Sequence, residues 1–191
     1  MHILAVLLLL AGVSPHMVQK SWHPGCPVPP AELRALTVTY WDFDSHKKTG
    51  VLIVNQEIAD ETAGLFKKLY DHHFLIEKVS PVDTYGADDD ASMAANNTSA
   101  FNCRDTTGRP GVFSNHSWGR AIDINPLTNP YVKGNTVLPP AGRAYLDRTQ
   151  EHKGSILADG YAVKIFEEAG WTWGGRWKDH QDYQHFEKPK R

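Results

Sequence analysis

The sequence predicts an α+β fold, a small antiparallel sheet with helices packed on one side. Two patterns carry that expectation. Short β-branched runs bounded by turn residues occur in both halves of the chain, and two segments place apolar residues at helical spacing. There is no internal repeat and no low-complexity tract, and 191 residues are enough for one domain with a real core.

Residues 1–13 centre on the apolar run Ile3 to Ala11, which is too short for a membrane span and reads as the core of a secretory signal peptide, the alternative being a buried strand or helix. Residues 14–31, with Pro15, Pro24, Pro27, Pro29 and Pro30, read as an extended lead-in, since proline denies them a helix or central strand. Residues 32–191 are the expected domain. Leu33 to Tyr40 and Val51 to Val54 flank the polar Asp42–Gly50 stretch and predict a hairpin. From Gln56 to His72 the residues Ile58, Thr62, Leu65, Phe66, Leu69 and Tyr70 share one helical face, with Asn55 available as cap. Leu75 to Val82 reads as a strand broken at Pro81, and the polar run from Gly86 to Arg109 as an ordered surface loop. Ala121 to Ile124 is a short strand stopped by Pro126, and 125–155 reads as irregular. Gly160 to Ala169 predicts a second helix ended by Gly170. Trp171 to Trp173 and Tyr183 to Glu187, with a Gly174-Gly175 turn, predict a closing antiparallel pair.

Composition narrows the function. A hydrophobic share of 41% and a charged share of 22% are ordinary globular material. A formal net charge of −2 argues against a nucleic-acid partner, which calls for a basic face. The two cysteines, Cys26 and Cys103, are expected to form one disulfide in an exported protein, the alternative being two buried thiols. Closing so long a loop contributes roughly 4 kcal/mol in the chain-entropy model. Neither cysteine has a Cys or His neighbour at finger-like spacing, so neither reads as a metal ligand.

The chemistry gathers in two segments, Ser114-Asn115-His116-Ser117-Trp118-Gly119-Arg120-Ala121-Ile122-Asp123 and Asp182-Tyr183-Gln184-His185-Phe186-Glu187. His116, Asp123 and His185 offer two imidazoles and a carboxylate, a three-ligand set for one catalytic Zn2+ with a fourth position open. His116 and Asp123 would face opposite ways on one continuous strand, and Gly119 between them permits the turn that brings them together. The same reasoning puts Asp182 in a turn and His185 on the strand that follows, which sets the metal at the mouth of the sheet. With zinc such a site carries net charge +1, enough to acidify water. A carboxylate that is not a ligand can then accept the proton, and Asp182 is the candidate base. Arg104, beside Cys103, is the candidate for stabilising a developing oxyanion.

These motifs closely resemble the D-Ala-D-Ala metallopeptidases, a family of zinc D,D-carboxypeptidases, D,D-dipeptidases and L-Ala-D-Glu endopeptidases. The likeness extends to Asn96–Arg104, Asp123-Ile124-Asn125-Pro126 and Gly170–Gly175. It implies that His116, Asp123 and His185 bind zinc, that Asp182 is the general base and that Arg104 faces the oxyanion. It also implies peptidoglycan peptides or muropeptides as substrates, cut at a bond involving a D-amino acid. The better-studied dipeptidases carry Glu at the base position, and Asp182 fits the carboxypeptidase and endopeptidase branches better. A rival of another class is a non-catalytic zinc-containing binding module similar to the hedgehog signalling domain, which need not keep Asp182 and Arg104. The leader and the cysteine pair imply a secreted or cell-envelope location, with membrane contact only if the leader is retained.

Other residues have competing readings. His180 rivals His185 as a ligand but lacks the Phe-Glu that follows the latter. His72-His73 reads as a solvated pair at a helix end, and Asp88-Asp89-Asp90 as a solvated acidic loop rather than a calcium site. Trp171, Trp173 and Trp177 read as core or as the wall of a peptide groove.

Overall fold

The computed structural model describes residues 10–189. The expected signal-peptide core falls, over residues 1–9, outside the described residues. Leu10–Gly12 form a short strand, β1, antiparallel to the first strand of the main hairpin. Among the described residues no helix is long and apolar enough to cross a membrane.

The predicted hairpin is the largest element. Strand β2, Leu33–Trp41, pairs in register with β3, Lys47–Asn55, from Leu33 opposite Asn55 to Trp41 opposite Lys47. Strand β3 starts earlier than its apolar residues indicate, because the Asp42 carboxylate accepts backbone N–H groups of Asp44 and His46 and closes the turn within Asp42–His46. Alternation gives the hairpin two buried faces. Leu36, Val38, Leu52 and Val54 enter the main core, while Leu33, Ala35 and Ile53 enter a second cluster with Val18, Val28 and Phe101. Residues of the proline-rich segment cover that second face, and a Cys26–Cys103 disulfide ties them down, with Cα atoms 6.0 Å apart.

Helix α1, Ala59–Asp71, continues a 3-10 turn at Gln56–Ile58 that Asn55 caps by accepting from the Glu57 N–H. Its buried Ala59, Ala63, Leu65, Phe66 and Leu69 pack in the main core. The segment predicted as one strand, Leu75 to Val82, yields only β4, Lys78–Val79, parallel to β5, Asn97–Thr98. The predicted surface loop is a correction of substance. It contains helix α2, Asp89–Ala94, and its Asn96, Asn97, Thr98, Ser99 and Asn102 are buried. Polar residues can be buried there because their side chains replace absent backbone partners. Asn96 Oδ1 accepts from the Leu127 N–H, and Asn97 Nδ2 donates to the Ser80 carbonyl. Beyond the loop, β6, Asp105–Thr106, and β7, Arg109–Phe113, form an exposed hairpin.

The final sheet has the order β11-β13-β8, with β8 at Ala121–Asp123, β11 at Thr172–Trp173 and β13 at His185–Glu187. The predicted closing pair is thus present, with Trp173 opposite Phe186. Region 125–155 is less irregular than expected: β9, Tyr131–Lys133, pairs with β10, Thr136–Leu138, and with β12, Gln181–Asp182. Helix α3, Tyr161–Glu168, ends at Gly170 with φ 76°. Its Phe166 stacks on Phe186 at 4.1 Å and meets Trp171 edge-on. Helices α1 and α3 touch and share the main core. The α+β class holds, distributed over several small sheets rather than one.

Replacing both Cys26 and Cys103 by Ser is expected to cost about 2–5 kcal/mol, measured by guanidinium unfolding. An unchanged midpoint would show that the second cluster holds the N-terminal segment without the link.

Candidate metal centre

The site begins with strand register. In the β8–β13 ladder Asp123 lies directly opposite His185. Asp123 is the last residue of β8 and His185 the first of β13, so the pair stands at the end of the ladder. Opposite residues of an antiparallel pair project on the same face, which brings the two side chains together. His116 reaches them from a 3-10 turn, Asn115–Trp118, capped by the Ser114 hydroxyl. Gly119 then reverses the chain at φ 64°, and a Cβ there would lie 2.7 Å from the Asn55 nitrogen. Only glycine fits that position.

The donor atoms converge. His185 Nδ1 is 2.9 Å from Asp123 Oδ1, His116 Nε2 is 3.1 Å from Asp123 Oδ2, and the two ring nitrogens are 3.2 Å apart. Four-coordinate zinc with bonds near 2.0–2.1 Å sets its ligands about 3.3 Å apart. Each imidazole meets a different oxygen of Asp123, and one donor atom from each residue lies within 4.8 Å of the others, so the set can close on a metal ion; all three residues are buried. The outer ring nitrogens agree with that role. His116 Nδ1 donates to the Ala100 carbonyl at 2.6 Å, and His185 Nε2 donates to Glu187 Oε2 at 3.2 Å. Each partner can only accept, so each outer nitrogen carries its proton and the inner nitrogen is left to face the centre.

Charge makes the same point. Burial would raise the Asp123 carboxyl, but the imidazoles of His116 and His185 outweigh it and hold the carboxyl far below the usual range. Burial would lower His185, yet hydrogen bonds to Asp123 and Glu187 push its imidazole up to about 10. Without metal, the centre thus holds a proton where the three donors meet, and a divalent cation would displace it.

Asp182 and Arg104 line the same cavity as the three donors, a cleft of about 580 Å³. Asp182 ends strand β12 rather than lying in the turn, because Gln181 and Asp182 pair with Val132 and Tyr131. The turn is Tyr183-Gln184, which still separates Asp182 from His185. Asp182 Oδ1 is shut off from solvent and has no hydrogen-bond partner. Burial, opposed by His185 and reinforced by Asp123, pushes the carboxyl up to about 7. Arg104 is held by its backbone, whose N–H donates to Ser117 Oγ at 2.8 Å, and by Asp89, 2.9 Å from Nη2.

Sequence reasoning missed the positioning role of Asp89, which the structure assigns to Arg104 while Asp88 caps α2. It also missed Asn115, whose Nδ2 donates to Glu187 Oε2 at 2.6 Å and fixes the carboxylate that orients His185. A signal for Glu187 was present, since an acid two residues after a strand histidine shares its face. His180 lines the cavity but stands outside the donor group, with its ring against Trp177 and Tyr131. His72 stacks on Tyr161 and His73 on Trp41. Trp171 and Trp173 belong to the core, and only Trp177 of the three lines the cavity.

Residues 107–188 match a family model described as D-alanyl-D-alanine carboxypeptidase, so this part of the chain is similar to the D-Ala-D-Ala metallopeptidases. The match spans His116, Asp123, Asp182 and His185, and Arg104 lies just before it. That family consists of zinc-dependent metallopeptidases, and the buried His116, Asp123 and His185 group could hold a metal ion. No curated protein and no solved structure matches the chain at a significant level.

Glu187→Gln is expected to weaken metal binding about 10- to 100-fold, read by competition with a chelator; equal affinity would show that His185 needs no such partner. A second outcome concerns the metal-free protein. Asp182 is raised from its ordinary value of 3.8 to about 7 by folding. Between those pH values the native state keeps a proton that the unfolded chain has lost, so this group's contribution to stability falls as pH rises. The Tm of metal-free Asp182→Asn should therefore gain on wild type across that window and level off above it. A constant difference would mean that the carboxyl is unshifted.

Proposed function

We propose that this chain belongs to the D-Ala-D-Ala metallopeptidases and is a zinc-dependent peptidase that hydrolyses peptidoglycan stem peptides at a bond involving a D-amino acid. Its nearest activity is that of a D,D-carboxypeptidase. The reading rests above all on one observation. Two imidazoles and a carboxylate converge with their inner donor atoms 2.9–3.2 Å apart, in a cavity that also contains Asp182 and Arg104.

His116, Asp123 and His185 are the ligands in this reading. Bound there, zinc supplies Lewis acidity and positive charge that let water attack at neutral pH. Asp182, its carboxyl already raised toward neutrality, accepts the proton of the attacking water and passes it to the leaving amine. The Arg104 guanidinium, anchored by Asp89, donates to the oxygen on which negative charge develops. A pure binding module has no use for a half-buried carboxyl whose inner oxygen is shut off from solvent without a partner next to its ligands, and Asp182 is such a group. The Cys26–Cys103 disulfide supports work outside the cytoplasm, in the secreted or cell-envelope space.

Metal analysis combined with mass spectrometry of digested muropeptides tests the proposal. Loss of a terminal D-Ala is expected; release of fragments cut between L-Ala and D-Glu, or action on free D-Ala-D-Ala alone, would reassign the bond. His116→Ala should lose both metal and turnover. Asp182→Ala should keep its metal and lose turnover by about 100-fold or more. Wild-type turnover in Asp182→Ala would remove the mechanism.

A further inference from the structure

Two hairpins border the cavity. The β6–β7 hairpin contributes Arg109 and Phe113, and the β9–β10 hairpin contributes Tyr131 and Lys133. Arg109 differs from the other arginines among the described residues. Arg34, Arg120, Arg143, Arg148 and Arg176 each hold a carbonyl or a carboxylate, and Arg104 holds Asp89. The Arg109 side chain makes no hydrogen bond and no ion pair among those residues. The acid of its own hairpin is engaged elsewhere, since Asp105 Oδ2 accepts from the Gly111 N–H at 2.8 Å. Lys133 is exposed and also forms no ion pair.

Of the acids deeper in the cavity, Asp182 is the proposed base and its Oδ1 has no partner, while the other three are already committed. Asp89 holds Arg104, Asp123 meets both imidazoles, and Glu187 is shared by Asn115 and His185. Asp179 is the opposing charge on the rim. Two exposed cations without a protein partner, at the mouth of a cavity of peptide size, have an anion as their natural ligand.

We propose that Arg109 and Lys133 form a carboxylate-binding rim that selects peptides bearing an anionic group away from the bond that is cut. The inference deepens the peptidase reading and rests on it. The planar guanidinium of Arg109 accepts a carboxylate in bidentate fashion and the Lys133 ammonium adds a point charge. The carboxylate is either the terminal one of the peptide or that of an acidic side chain, with the same chemistry in both cases. Because both cations are exposed, the preference is moderate and weakens with salt.

Calorimetric binding of stem-type peptides to the full chain tests the rim independently of turnover. Three peptides are compared: both carboxylates free, the terminal one amidated, and the side-chain one amidated. The free form is expected to bind about tenfold tighter than at least one amide, and that amide identifies the source of the carboxylate. Arg109→Gln combined with Lys133→Gln should bring the ratio near one, whereas Arg143→Gln, outside the cavity, should leave it intact. Equal binding of all three peptides by wild type, no binding of the free form, or a preference that survives the double substitution would overturn the rim. A retained preference without any cleavage would instead sink the peptidase reading and leave the rim standing.

Discussion

The pairing of Asp123 with His185 joins residues 62 positions apart in the chain, and the geometry of the candidate centre follows from it. A slip of one residue between β8 and β13 would turn one of the two side chains to the opposite face. The core prevents the slip. Phe186 lies opposite Ile122, both are fully buried, and Phe186 stacks on Phe166 of helix α3. Hydrophobic packing on one face of the sheet therefore sets the register, and the register delivers polar donors on the other. His116 joins them only because Gly119 folds the chain back beneath Asn55.

The segments that flank this ladder are held by amides rather than by apolar burial. Just past Asp123, Asn125 takes a positive φ of 48° and donates from Nδ2 to the carbonyls of Leu75 and Gly154. Its Oδ1 accepts from the Glu77 N–H. Asn129 bonds the Gly154 carbonyl and the Ile156 N–H in the same way. Each of these side chains substitutes for a missing strand neighbour, so long connections can be buried without leaving backbone groups unpaired. The cavity wall gains rigidity without more sheet.

This explains which parts were legible in the sequence. The hairpin, α1, α3 and the closing β11–β13 pair carry their own periodicity, and Asn55 and Gly170 act at their ends as local rules require. The Gly86–Arg109 stretch was misread as surface because polarity is a poor guide where the polar groups bond one another. Asn96, at 1% exposure, contradicts composition alone. At the site, the convergence of the three candidate ligands was legible because residue type and spacing both constrain a metal set. The residues that orient them were less so. Asp89 serves Arg104 from a separate helix, a relation that no spacing rule carries, and the Ala100 carbonyl leaves no trace in side-chain identity at all.

In small zinc-organised domains the ion supplies folding free energy, and the apo chain is unfolded. Here two hydrophobic clusters, a 77-residue disulfide loop and the Phe186–Phe166 stack fix the frame without reference to the centre. Within that frame the Ala100 carbonyl and Glu187 orient the imidazoles from outside, and a proton on His185 stands in for the cation. The ion would then enter a site already shaped, at the expense of that proton. Such preorganisation keeps Asp182 and Arg104 in place while the pocket exchanges its contents, which a centre built by its own metal cannot offer.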